Sequence, residues 1–258
     1  MAGADRPSAR TARIIGTSLA VVYIGLALAN GGDRIAAAKV ANALRFPRAL
    51  AVESLGPAGE RAVADARYDD ALAIAQSAVA RAPIEPSSTA LLGAAWLGKG
   101  DAARARAAFT VAGKLGWRVP LTQAYWMRAA LDVDDTRIAA LRLDALLRQQ
   151  PALLGEERLL APLEATTEGR TALAARLATR PPWLAYYVND HGEASRDAML
   201  RRASVLLTLA APRPTGFAQQ LGCEAIRPAA VRLVVLNEPS VAQQVWRAHC
   251  GDAPMPKS

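Results

Sequence analysis

ARYDDALAIAQSAVARAP, from Ala66 to Pro83, is followed 34 residues later by GDAARARAAFTVAGKLGW, Gly100 to Trp117, and 34 later again by DDTRIAALRLDALLRQQP, Asp134 to Pro151. The three stretches keep one register without insertion. Ala71, Ala105 and Ala139 fall at the same place in each, and Pro83, Trp117 and Pro151 follow each alanine by 12 residues. A period of this length marks an array of supersecondary units. Good helix formers fill each copy, so the unit is a helical hairpin. Two antiparallel helices approach closely only where both present small side chains, which pairs Gly93 with Ala105 and leaves Trp96 and Phe109 to fill the flanks. Each hairpin exposes an apolar side that only its neighbour can cover, so the fold expected is an all-α solenoid.

Composition agrees with helices. Hydrophobic residues make up 52% and aromatics 5%, and alanine at roughly a quarter favours close helix packing over strands. Of 31 basic residues only Lys39, Lys99, Lys114 and Lys257 are lysine, so the net charge of +8 is carried by arginine. These arginines are dispersed along the helices, with no basic stripe interleaved with aromatics to stack bases. A nucleic-acid-binding helical repeat is therefore the weaker alternative, and no nucleic acid is expected as partner.

The middle copy carries a family pattern. Leu92-Gly93, Trp96 and Ala105-x3-Phe109 resemble the tetratricopeptide repeat, with Thr89 where that family places its first tryptophan. The third copy keeps Ala139, Leu143 and Pro151; the first keeps Ala71, Ala78 and Pro83, with Gly56-Pro57 expected to interrupt its first helix. The resemblance covers 52–151 and implies a non-catalytic scaffold that binds protein partners along the first helix of each pair. That places Ser87, Ala90, Ala94, Leu97, Leu121, Ala124, Arg128 and Leu131 on a binding groove, with Arg128 its one cation. The layout also looks like tetratricopeptide proteins found beside bacterial exopolysaccharide or capsule assembly machinery, though no motif carries that likeness.

The N-terminus directs the compartment. Arg6, Arg10 and Arg13 precede IIGTSLAVVYIGLALA, Ile14 to Ala29, which holds no charge. With the residues to Gly32 it reaches the short end of a membrane span. Residues 14–32 are thus expected to form a single-pass anchor in a bacterial inner membrane, with a cytoplasmic basic tail over 1–13 and the body in the periplasm. Cleavage near Ala29, releasing the body, is the alternative. A linker helix is expected over 33–51, a degenerate helical pair over 152–183, and a C-terminal helical region over 184–258 ending in a hairpin that contains Ala242-x3-Trp246.

Motifs for chemistry are few. Gly93 to Gly100 nearly spells a phosphate-binding loop, but Gly100 replaces the hydroxyl residue and no strand leads into it. His191 and His249, the two histidines, lack metal-ligand spacing. No cofactor or metal is expected; a carbohydrate-active or metal-dependent enzyme with its site in 181–258 is the alternative. Asp69-Asp70 and Asp134-Asp135 are read as caps of second helices. Cys223 and Cys250 stand at opposite ends of the last hairpin, which are neighbours if its helices are antiparallel. In an oxidising compartment they would form a disulfide; two reduced thiols are the alternative.

Overall fold

The computed structural model describes residues 53–189, 194–211 and 220–255. The tail 1–13, the apolar segment 14–32 and the linker 33–51 lie outside the described residues. Among the described residues the chain forms α-helices and one 3-10 turn, with no strand. None of these helices is long and apolar enough to cross a membrane. They gather into two compact units, divided between Trp117 and Arg118. That division falls inside the run expected as one array.

The first unit contains α1 (Leu55–Ala64), α2 (Tyr68–Arg81), α3 (Pro86–Gly98) and α4 (Ala102–Leu115). Its core is small: Ala58, Ala62, Ala71, Ala75, Ala78 and Ala95 close around Leu55, Ile74 and Leu91. Gly56-Pro57 does not interrupt α1 but opens it. In a first turn the missing proline N–H costs nothing, since no carbonyl lies upstream to receive it.

The second unit contains α5 (Pro120–Leu131), α6 (Thr136–Leu147), a 3-10 turn (Pro151–Gly155), α7 (Glu157–Ala165), α8 (Thr167–Leu177), α9 (Leu184–Val188), α10 (Arg196–Ala210), α11 (Cys223–Val235) and α12 (Pro239–Cys250). The valine-rich run Val231 to Val235 is helix, the last part of α11. One continuous core runs through Leu143, Leu163, Leu177, Trp183, Met199, Leu206, Ile226, Leu233 and Trp246. Trp183, after the Pro181-Pro182 break, is 1% exposed and donates its indole N–H to Asp144 Oδ1 at 2.8 Å. The two prolines thus lead directly into a buried anchor.

Four hairpins are closed by one turn geometry. Ala66, Gly100, Asp134 and Asn237 have φ of 57°, 79°, 57° and 63°, and follow α1, α3, α5 and α11. In each, the amide after the left-handed residue donates to a carbonyl five residues back: Arg67 to Ala62, Asp101 to Trp96, Asp135 to Ala130 and Glu238 to Leu233, at 2.8–3.0 Å. The left-handed residue's own amide donates three residues back, which completes a Schellman closure of the helix end. Five residues beyond each turn stands an alanine, Ala71, Ala105, Ala139 or Ala242, at 0% exposure. The last hairpin thus repeats the geometry of the three in strict register.

Local details depart from expectation. Gly93 packs against the Phe109 ring, not Ala105: a β-carbon there would stand 2.9 Å from the ring. A ring packed against a glycine fills the crossing that two small residues would leave hollow. Asp101 and Asp135 do cap α4 and α6, accepting from the amides of Arg104 and Ile138 at 2.9 Å. Asp69 and Asp70 instead lie within the first turn of α2, paired with Lys99 and Arg67, because α2 starts at Tyr68.

Candidate binding surfaces

The eight residues expected on a groove divide between the units, four on α3 and four on α5. On α3, Ser87 and Leu97 are exposed and Ala94 half-buried. Ala90 is 0% exposed and belongs to the core, so it does not line a surface. The reason lies in α3 itself: Leu91, Leu92, Ala94, Ala95, Trp96 and Leu97 make it apolar nearly all round, so its periodicity does not single out one inward face. Trp96 is half-buried, with the Arg104 guanidinium 4.5 Å from its ring centroid. Leu97, at 49% exposure, is the apolar side chain this helix offers to solvent.

On α5, Leu121, Ala124 and Leu131 are half-buried and Arg128 is exposed. Polar side chains take part of the inner face: Thr122 and Gln123 are both 0% exposed, and Gln123 accepts from Arg142 at 3.4 Å. Arg128 and Leu131 help line a cleft of about 250 Å³ within the second unit, together with Asp132, Asp134, Thr136, Pro162 and Thr166. Arg128 Nε lies 3.0 Å from Asp132 Oδ1. Asp132 and Asp134 outnumber the one guanidinium, so the cleft is acidic on balance. A lone cation facing a partner was the expectation; a guanidinium already paired is the finding. Sequence reading missed Asp132, Pro162 and Thr166 because the cleft forms only where the α5–α6 turn meets α7 and the α7–α8 turn.

Compared with protein-family models, curated proteins and solved structures, the chain matches none.

Two buried polar clusters lie deeper in the second unit. Glu164, 1% exposed, accepts from the Tyr187 hydroxyl at 2.9 Å and faces Arg201 at 3.6 Å and Arg202 at 3.9 Å. Arg202, 3% exposed, donates to the Leu154 carbonyl at 2.9 Å and stands over the Tyr187 ring at 5.4 Å. Its Nε and Nη1 have no hydrogen-bond partner. Burial pushes the Glu164 carboxyl above its ordinary value, against the pull of Tyr187 and both guanidiniums. Burial and the nearby carboxylate push the Tyr187 hydroxyl up as well, so it remains a donor.

His249 makes the other cluster. It is 2% exposed; Leu221 N–H donates to Nδ1 at 3.2 Å, and Nε2 lies 3.0 Å from the Leu206 carbonyl. These partners require a neutral ring with its proton on Nε2, and burial holds its pKa below the ordinary histidine value. Both nitrogens are spent on backbone, leaving neither to a metal. Among the described residues no group of three or more His, Cys, Asp or Glu is placed to hold a metal ion, and His191 lies outside them. Cys223 and Cys250 are half-buried free thiols brought side by side. Burial, then the Cys223 partner, push the Cys250 thiol up to about 12.

Proposed function

We propose that the chain is a tetratricopeptide-type interaction scaffold, tethered to a bacterial inner membrane through residues 14–32 with its hairpins in the periplasm. The observation that carries this reading is the turn shared by four hairpins, each with a left-handed residue and a buried alanine five positions on. Such a frame spends its side chains on stacking and leaves the outward positions of its first helices for recognition. Leu97 on α3 and the acidic cleft beside Arg128 on α5 are the two recognition points. The cleft suits a protein segment that sets a basic side chain between Asp132 and Asp134 and an apolar one against Leu131 and Pro162. The narrower form of the reading is service to exopolysaccharide or envelope assembly, which rests on layout alone.

Photo-crosslinkers placed at Leu97 and at Arg128 in cells test the scaffold. The same partner protein should be trapped from both sites and not from Arg106, an exposed position on α4. Trapping from all three alike, or from none, refutes the assignment. A reporter active only in the cytoplasm, fused after Ser258, should be silent; strong activity refutes the topology.

A further inference from the structure

Two neighbouring contacts tie the segment before α11 to the end of α12. Gln220 Nε2 donates to the Ala248 carbonyl at 3.3 Å and Leu221 N–H donates to His249 Nδ1 at 3.2 Å, which brings Cys223, two residues after Leu221, beside Cys250, the residue after His249. Both cysteines are half-buried, so neither is sealed in the core. Pro228 lies inside α11 yet leaves that register intact. No described histidine or carboxylate completes a metal site with them.

We propose that Cys223 and Cys250 form a thiol–disulfide exchange site, closing into an internal disulfide at the expense of an external disulfide and so locking the end of α12 to the start of α11. Cys223 attacks first, because it opens α11, where the helix N-terminus favours a thiolate, whereas Cys250 closes α12, where the terminal carbonyls disfavour one. The Cys223 thiolate bonds to one sulfur of the external disulfide and releases the other half, which takes up the proton Cys223 lost. Cys250 then gives its proton to solvent and attacks the Cys223 sulfur, and the second half leaves and is protonated in turn. Two protein thiols are oxidised and one external disulfide is reduced to two thiols. The closed loop, residues 223–250, restrains the unfolded chain and lowers the unfolding equilibrium constant on the order of several hundredfold.

The test uses the reduced full-length protein and oxidised glutathione as the external disulfide, followed by acid quench, unfolding and maleimide labelling. Both thiols should label before oxidation and neither after. The intact mass should fall by the two hydrogens lost, with a peptide linking Cys223 to Cys250. The Cys250→Ser variant should stop as a glutathione adduct on Cys223. The oxidised wild type should unfold at higher urea than the reduced form. A stable adduct on the wild type, a disulfide between two copies, retained labelling, or an unchanged urea midpoint each overturns the proposal.

Discussion

The first unit and the second solve the same packing problem with opposite materials. Between α1 and α4 the helices meet through alanine and glycine, and the largest fully buried side chain is Phe109 lying on Gly93. Between α7 and α12 they meet through Trp183, Tyr187 and leucines, with Glu164 and Arg202 enclosed among them. A core of small residues gains little by deletion and is harmed by addition. An enclosed ion pair behaves otherwise, since its charges cost desolvation that only their mutual attraction offsets.

The largest effect is expected from breaking that pair. Glu164→Ala leaves Arg202 buried with no countercharge and should lower stability by about 3–5 kcal/mol. The contrast sharpens with Glu164→Leu combined with Arg202→Met, which should recover part of the loss: it removes the unsatisfied Arg202 Nε and Nη1 but leaves the buried Tyr187 hydroxyl without its acceptor. Urea titration measures both; a double variant as weak as the single one would show that the pair stabilises outright.

In the small-residue unit the damaging change is an enlargement. Ala105→Leu should cost roughly 1–3 kcal/mol by overpacking the α3–α4 crossing, read as a fall in melting temperature. An unchanged melting curve would remove Ala105 from the crossing.

The turns offer a smaller test with both signs. Gly100→Ala puts a β-carbon at φ 79° and should destabilise by about 1 kcal/mol. At the equivalent turn Ala66→Gly relieves φ 57° and should gain up to about 1 kcal/mol. Shifts of the same sign at both positions would mean that the turns are not equivalent.

The gentlest perturbation is pH. Because folding lowers the His249 pKa, the unfolded chain binds its proton more readily. Its contribution is therefore full above the unfolded value near 6.5 and is lost as pH falls from there through the lowered folded value. Glu164 slopes the other way: its raised pKa makes the folded state hold the proton, so stability is lost as pH climbs from the ordinary value through the raised one. His249→Gln should flatten the first slope and leave the second, as urea midpoints across pH 4 to 8 would reveal.

The alanine register was readable because a crossing admits so few side chains that Ala71, Ala105 and Ala139 stand out at fixed spacing. Ala242-x3-Trp246 marked the last hairpin by the same logic. The turn at Ala66 left no trace, since alanine is a poor choice for a left-handed residue and only the helices on either side impose it. Ala90 was misplaced because an all-apolar helix has no side for a pattern to select. Glu164 could have been found: it follows Leu160 by four and Leu163 by one, on the inward stripe of α7. Arg202 sits likewise beside Met199 and Ala203 on α10. Which glutamate meets which arginine is settled only in three dimensions, across a sequence gap no local pattern spans.

The contacts of the first unit join helices that are neighbours, or next neighbours, along the chain, whereas the second ties Asp144 to Trp183, Leu154 to Arg202 and Leu206 to His249. Emerging in order from its N-terminus, the chain can consolidate its first unit once Trp117 is out, while the second must wait for α12. At about 5–20 residues per second, roughly 7–27 s of synthesis separates Trp117 from Cys250. Through that interval α7 and α10 carry Glu164 and Arg202 without the finished core around them. Any factor that shields nascent chains would find its client here, in the later half.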